Sequence, residues 1–98
     1  MQISIEQSGS AGRYLGRLEG VAEAAEIVFS RADTGCLVAE HTFVPEGMRG
    51  SGAGVKLIER IVEDARRGGY RVLAMCPYVR AQAARHAEWS DVLDRPPA

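Results

Sequence analysis

Ninety-eight residues, 46% hydrophobic and 26% charged, are enough for one small core and too few for two, so a single domain over 1–98 is expected. Twelve basic against thirteen acidic side chains leave a formal charge of -1, which argues against a nucleic-acid surface and confines any anion binding to a local site. There is no long apolar run or basic leader, and Cys36 and Cys76 are too few for a secreted disulfide scaffold and too scattered for zinc; the expected setting is reducing cytoplasm, with no membrane and no metal.

The first four runs read as strands. Ile3 and Ile5 alternate with Ser4 and Glu6. Tyr14, Leu15 and Leu18 sit among Arg13, Gly16 and Arg17, and Ile27-Val28-Phe29 is the third run. The fourth covers 36–44 and ends at Pro45, which cannot donate to a ladder. Ser8-Gly9-Ser10-Ala11-Gly12 and Ala32-Asp33-Thr34-Gly35 supply turn formers, so consecutive strands are expected as antiparallel hairpins, with 19–24 a looser connection.

Over 52–67, Val55, Ile58, Ile61, Val62 and Ala65 recur at helical spacing, and charged residues with useful pairs such as Glu63 and Arg67 face solvent. Arg66 and Arg67 suit the negative end of the helix dipole, and Gly68-Gly69 suit a left-handed stop. Residues 70–75 form an apolar fifth strand of the kind covered on both faces, and the strand-helix-strand order makes it parallel to the fourth. Pro77 opens a short helix over 78–86. Trp89 is expected as a packing anchor, His86 at the surface, and 94–98 as a frayed tail. The class is α/β (α+β): a mixed, mostly antiparallel sheet, a long helix after strand four and a short one after strand five.

Arg49-Gly50-Ser51-Gly52-Ala53-Gly54 stands between a strand and a helix start, where unpaired N–H groups and the helix dipole favour an anion. The alternative is a glycine-rich turn with no ligand. A P-loop is excluded, since Ala53 and Gly54 follow Gly52 where Lys and Ser or Thr are required. A dinucleotide fingerprint from Gly50 and Gly52 would need glycine or alanine at 55, where Val55 stands.

This turn resembles the pyrophosphate turn of the GCN5-related N-acetyltransferase superfamily, Gln/Arg-x-x-Gly-x-Gly/Ala, with Arg49, Gly52 and Gly54 at its defined positions. His41-Thr42-Phe43-Val44-Pro45-Glu46 before it and Cys76-Pro77-Tyr78-Val79 after the fifth strand resemble the small single-domain YjdJ-like branch. The resemblance implies a minimal acetyltransferase fold in which strands four and five splay around the pantetheine arm of acetyl-CoA. It implies backbone contacts from Phe43 and Val44, a pyrophosphate on 49–54, and an acetyl group directed toward His41 and Cys76. Larger members carry additional N-terminal helices that shape an acceptor pocket, for which the hairpin turns here leave little room.

Acetyl transfer needs a nucleophile, a donor to the developing oxyanion and a proton for the leaving thiolate. Cys76, at a strand end and a helix start, is either an activated thiol or a small buried apolar residue. His41 is either a base or a strand histidine satisfied by the backbone. Tyr78 is placed with the coenzyme site as a donor to the sulfur, against a packing role. Glu40 and Glu46 fit proton transfer or solvated faces equally. Cys36 is read as structural, at the end of the sheet opposite Cys76, so no disulfide is expected. The leading expectation is an acyltransferase moving acetyl from acetyl-CoA to an unknown amine, directly or through Cys76. The alternative is a non-catalytic acetyl-CoA-binding or partner-docking module. A monomer or weak homodimer is expected.

Overall fold

In the computed structural model, which describes residues 1–95, the four N-terminal runs form a meander: β1 (Gln2–Ser8), β2 (Ala11–Arg17), β3 (Ala25–Arg31) and β4 (Leu37–Phe43). Each pairs antiparallel with the next. Then come a 3-10 turn (Glu46–Met48), α1 (Ala53–Gly68), β5 (Val72–Ala74), α2 (Pro77–Arg85), a second 3-10 turn (Ala87–Trp89) and β6 (Leu93–Asp94). The six strands make one sheet in chain order, with β5 parallel to both β4 and β6. The expected helix boundaries hold to within about one residue at each end. Gly69 stops α1 in the left-handed region at φ 69°.

Pairing explains which face is buried. Tyr14 lies opposite Ile27, Phe29 opposite Ala39, and Leu37 opposite Val72, which is itself opposite Leu93. These side chains share one face and are buried with Leu57, Ile58, Ile61, Val62 and Ala65 of α1 and Val79 of α2. Among the described residues, no helix lies on the opposite face. Val38 and Leu73 are only half-buried there, and Leu15 is buried outside the main core. This corrects the expectation that strand five is covered on both sides: its apolarity comes from one covered face and a short length of three residues.

Three further expectations change. Asp94 does not fray, because it joins β6 opposite Leu73 and takes the Arg71 guanidinium, Nε to Oδ2 2.6 Å; 96–98 lie outside the described residues. Arg66 leaves its helix end to bind both carboxylate oxygens of Asp91 and the Glu88 carbonyl. Trp89 is the anchor expected, 4% exposed, but His86 is half-buried and stacks on it with ring centroids 4.0 Å apart.

Asp64 departs from the solvent-facing reading as well. Its carboxylate accepts from Tyr14 Oη at 2.7 Å, Arg60 Nε at 3.1 Å and Arg67 at 2.8 Å, joining α1 to β2. Burial pushes this carboxyl up, but the hydrogen bonds from Tyr14 and Arg60 outweigh it and its pKa falls below the usual carboxylate value. A lowered carboxyl contributes stability above the unfolded pKa, near 4, and loses it as pH drops through the folded value. Tyr14→Phe should therefore cost about 1.5–3 kcal/mol at neutral pH, the usual worth of a hydrogen bond to a charged group. Urea midpoints from pH 7 to 2.5 should show the difference shrinking in the acid range. A difference that does not change with pH would remove Asp64 as its cause.

Candidate functional site

The parallel pairing of β4 and β5 is brief: Leu37 with Val72, Val38 with Leu73, Ala39 with Ala74. Its last carbonyl, Ala39 O, accepts from both Met75 N (3.0 Å) and Cys76 N (2.9 Å). Pro77 then starts α2 and carries the chain away, while β4 continues alongside β3 to Phe43. The two strands thus part at Ala39, and among the described residues β4 is laddered over 41–43 on its β3 side alone. This leaves a wedge whose closed end is the Ala39 carbonyl.

A bulge sets what points into it. Ala39 pairs with Phe29 and His41 with Val28, so Glu40 is an extra residue in β4. Beyond it Thr42 lies opposite Ile27, on the helix-covered face, and His41 shares the bare face with Val28. Thr42 Oγ1 meets Cys76 Sγ at 3.2 Å. Cys76 is 4% exposed and is the residue immediately before α2. Of the two expected catalytic residues, then, Cys76 stands at the closed end of the wedge with Thr42 as its neighbour, while His41 is exposed on the other side of the strand. Thr42 was missed in the sequence, where simple alternation from Leu37 and Ala39 gives His41 that place.

Tyr78, half-buried in the first turn of α2, reaches across to α1. A Cβ at Gly54 would lie 2.3 Å from its hydroxyl, so the glycine makes room for the tyrosine. Burial, and then the neighbouring Cys76, raise the Tyr78 pKa and keep the phenol protonated. Phe43 is 41% exposed, Val44 is half-buried and Glu46 is exposed. Glu40 accepts from Ser30 Oγ at 3.1 Å.

The turn before α1 is built to leave amides free. Gly50 and Gly52 adopt φ 80° and 77°, which winds the backbone through the left-handed region twice. Ser51 Oγ donates to the Met48 carbonyl and accepts from Ala53 N at 3.2 Å, bracing the turn internally. Gly52 is the residue before the helix, and its carbonyl takes Lys56 N at 3.0 Å. Among the described residues no acceptor meets the N–H groups of Gly52, Gly54 and Val55. Three open amides at a helix N-terminus, with Arg49 exposed beside them, suit a phosphate group. Cys36 and Cys76 are both free thiols, one before β4 and the other after β5.

Comparison with known proteins shows the family and the fold. The model of the GCN5-related N-acetyl-transferase family matches residues 13–92. The NMR structure of a GCN5-like candidate N-acetyltransferase from Staphylococcus aureus has a TM-score of 0.70 to this chain at 26% identity, covering 96% of this chain and 90% of the other. No curated protein matches. No helix among the described residues is long and apolar enough to cross a membrane.

Proposed function

Because the chain belongs to the GCN5-related N-acetyltransferase family, we propose that it binds acetyl-CoA in the wedge between β4 and β5 and transfers the acetyl group to an amine. The observation that carries this reading is the set of open amides at Gly52, Gly54 and Val55, placed where α1 begins. They fit a pyrophosphate, with the exposed Arg49 as a counter-charge and Gly50, Ser51 and Ala53 shaping the turn. The free edge of β4 at Phe43 and Val44 fits the amide groups of a pantetheine arm, which would extend the ladder that β5 abandons.

Acetyl-CoA supplies an acetyl group activated as a thioester. The chain supplies the groups around it. Cys76 and Thr42 form a polar pair at the closed end of the wedge, Cys76 as the nucleophile of a two-step transfer. Tyr78, held protonated, is a proton donor on the same side. His41, exposed on the bare face, is the base available to an incoming amine.

Titration calorimetry with acetyl-CoA tests the binding half of this reading. Saturable binding is expected, weakened in Arg49→Ala by about 1–3 kcal/mol through loss of a charge-assisted contact. Absence of saturable binding at millimolar acetyl-CoA would overturn it.

A further inference from the structure

β1 forms one edge of the sheet, and among the described residues nothing pairs with its outer side. Edge strands are ordinarily guarded by proline, lysine, a bulge or an inward-pointing charge. Gln2–Ser8 has none of these. Its single charge, Glu6, is held by Arg13 of the neighbouring strand, Nε to Oε1 2.9 Å, and Ile5 is 41% exposed.

The turn chemistry fixes which backbone groups face outward. Gly9-Ser10 is a two-residue turn with Gly9 at φ 62°, so Ser8 and Ala11 form the hydrogen-bonded closing pair. Bonded pairs alternate along an antiparallel ladder. Glu6 with Arg13, Ser4 with Leu15 and Gln2 with Arg17 therefore also bond inward, and Ile3, Ile5 and Gln7 direct their N–H and C=O groups away from the sheet.

These outward groups are self-complementary. Laid antiparallel to a second β1 about a two-fold axis at Ile5, each Ile5 faces its counterpart and each Ile3 faces a Gln7, giving roughly six hydrogen bonds in three bonded pairs. Moving the axis by half a residue sets outward groups against inward ones. An axis at Ser4 or Glu6 leaves only two bonded pairs within the strand, and at Glu6 also sets the two Glu6 side chains opposite each other. The Ile5 register places Glu6 opposite a serine, so no like charges stand directly across the seam. Side chains of Ile3 and Ile5 from both copies come together on the face shared with Tyr14. We propose that the chain forms a homodimer by pairing β1 with β1 of a second copy, making one continuous sheet of twelve strands. The seam lies at the edge opposite the β4–β5 wedge, so both wedges stay open.

Two measurements on the full chain test this. Sedimentation velocity from micromolar to millimolar protein should show the mass doubling. Amide exchange followed by NMR should show Ile3, Ile5 and Gln7 slowed at least tenfold as concentration rises, while Ser4 and Glu6 are protected throughout. Ile5→Pro removes an outward N–H without touching the β1–β2 ladder, and should be monomeric at every concentration with its coenzyme binding intact. Should that variant fail to fold, Ile5→Lys, an edge lysine, serves the same purpose. A wild-type mass that stays monomeric to millimolar concentration would overturn the proposal. So would a dimer that persists in the folded variant, or one that leaves the Ile3, Ile5 and Gln7 amides unprotected.

Discussion

At a hundredfold excess over its dissociation constant, acetyl-CoA should stabilise the wild-type protein by about 2.7 kcal/mol, and Gly52→Val should abolish that gain. For a domain of this size the gain is worth roughly ten degrees or more in melting temperature. Two physical effects coincide at position 52. The residue sits at φ 77°, where a β-branched side chain is strained, so the variant should also lose about 1–2 kcal/mol of intrinsic stability. Beyond its two chain neighbours no heavy atom of the described residues lies within 4 Å of a Cβ built there, so the side chain would stand in the open space over the turn, beside the free amides of Gly52 and Gly54. Gly35→Val separates the two effects. Gly35 has φ 86° and equally open surroundings but lies in the β3–β4 turn. It should lose comparable stability and keep the full ligand shift. If Gly52→Val retains the shift, the amides of this turn do not hold the coenzyme.

The second large effect is expected at Cys76. Cys76→Ala should leave coenzyme binding within a few-fold of wild type, because the pyrophosphate turn is elsewhere, and should lower acetyl transfer to an amine by about a hundredfold. Thr42→Val preserves shape and removes only the hydroxyl that meets the thiol at 3.2 Å. It should change the rate of Cys76 alkylation at fixed pH, which a threonine without contact to the thiol would leave in place. Cys36→Ala is the control, with at most a packing cost. Steady-state CoA release with a saturating amine, together with alkylation rates at fixed pH, reads both effects. Full turnover in Cys76→Ala would eliminate the two-step route and leave direct attack with His41 as base.

Much of this site was legible in residue order. Gly9 and Gly35 announced the hairpins, Pro45 and Pro77 marked the ends of β4 and the start of α2, and Gly50-Ser51-Gly52 placed the turn, all of them through local backbone chemistry that the sequence states directly. What escaped depends on partners far along the chain. The bulge at Glu40 has no glycine or proline to signal it, and it exchanges the faces of His41 and Thr42. β6 is two residues long and is tied in by Arg71, with Arg66 on Asp91 just before it, so no periodicity could reveal it. The partners of Asp64 stand on another element and two other helical turns, where charge alone suggested solvent.

The Glu40 bulge makes β4 a strand with two phases. Up to Ala39 its odd-numbered positions belong to the core, and beyond the extra residue its even-numbered ones do. Deleting position 40 would restore a regular ladder and leave His41 on the bare face and Thr42 toward Cys76. Keeping Glu40 and laddering it in would instead turn His41 toward Cys76 and Thr42 toward solvent, with 37 and 39 in their places. The bulge therefore acts as a selector of chemistry: whether residue 40 is looped out or laddered in decides whether a hydroxyl or an imidazole faces the thiol, with the packing upstream left unchanged.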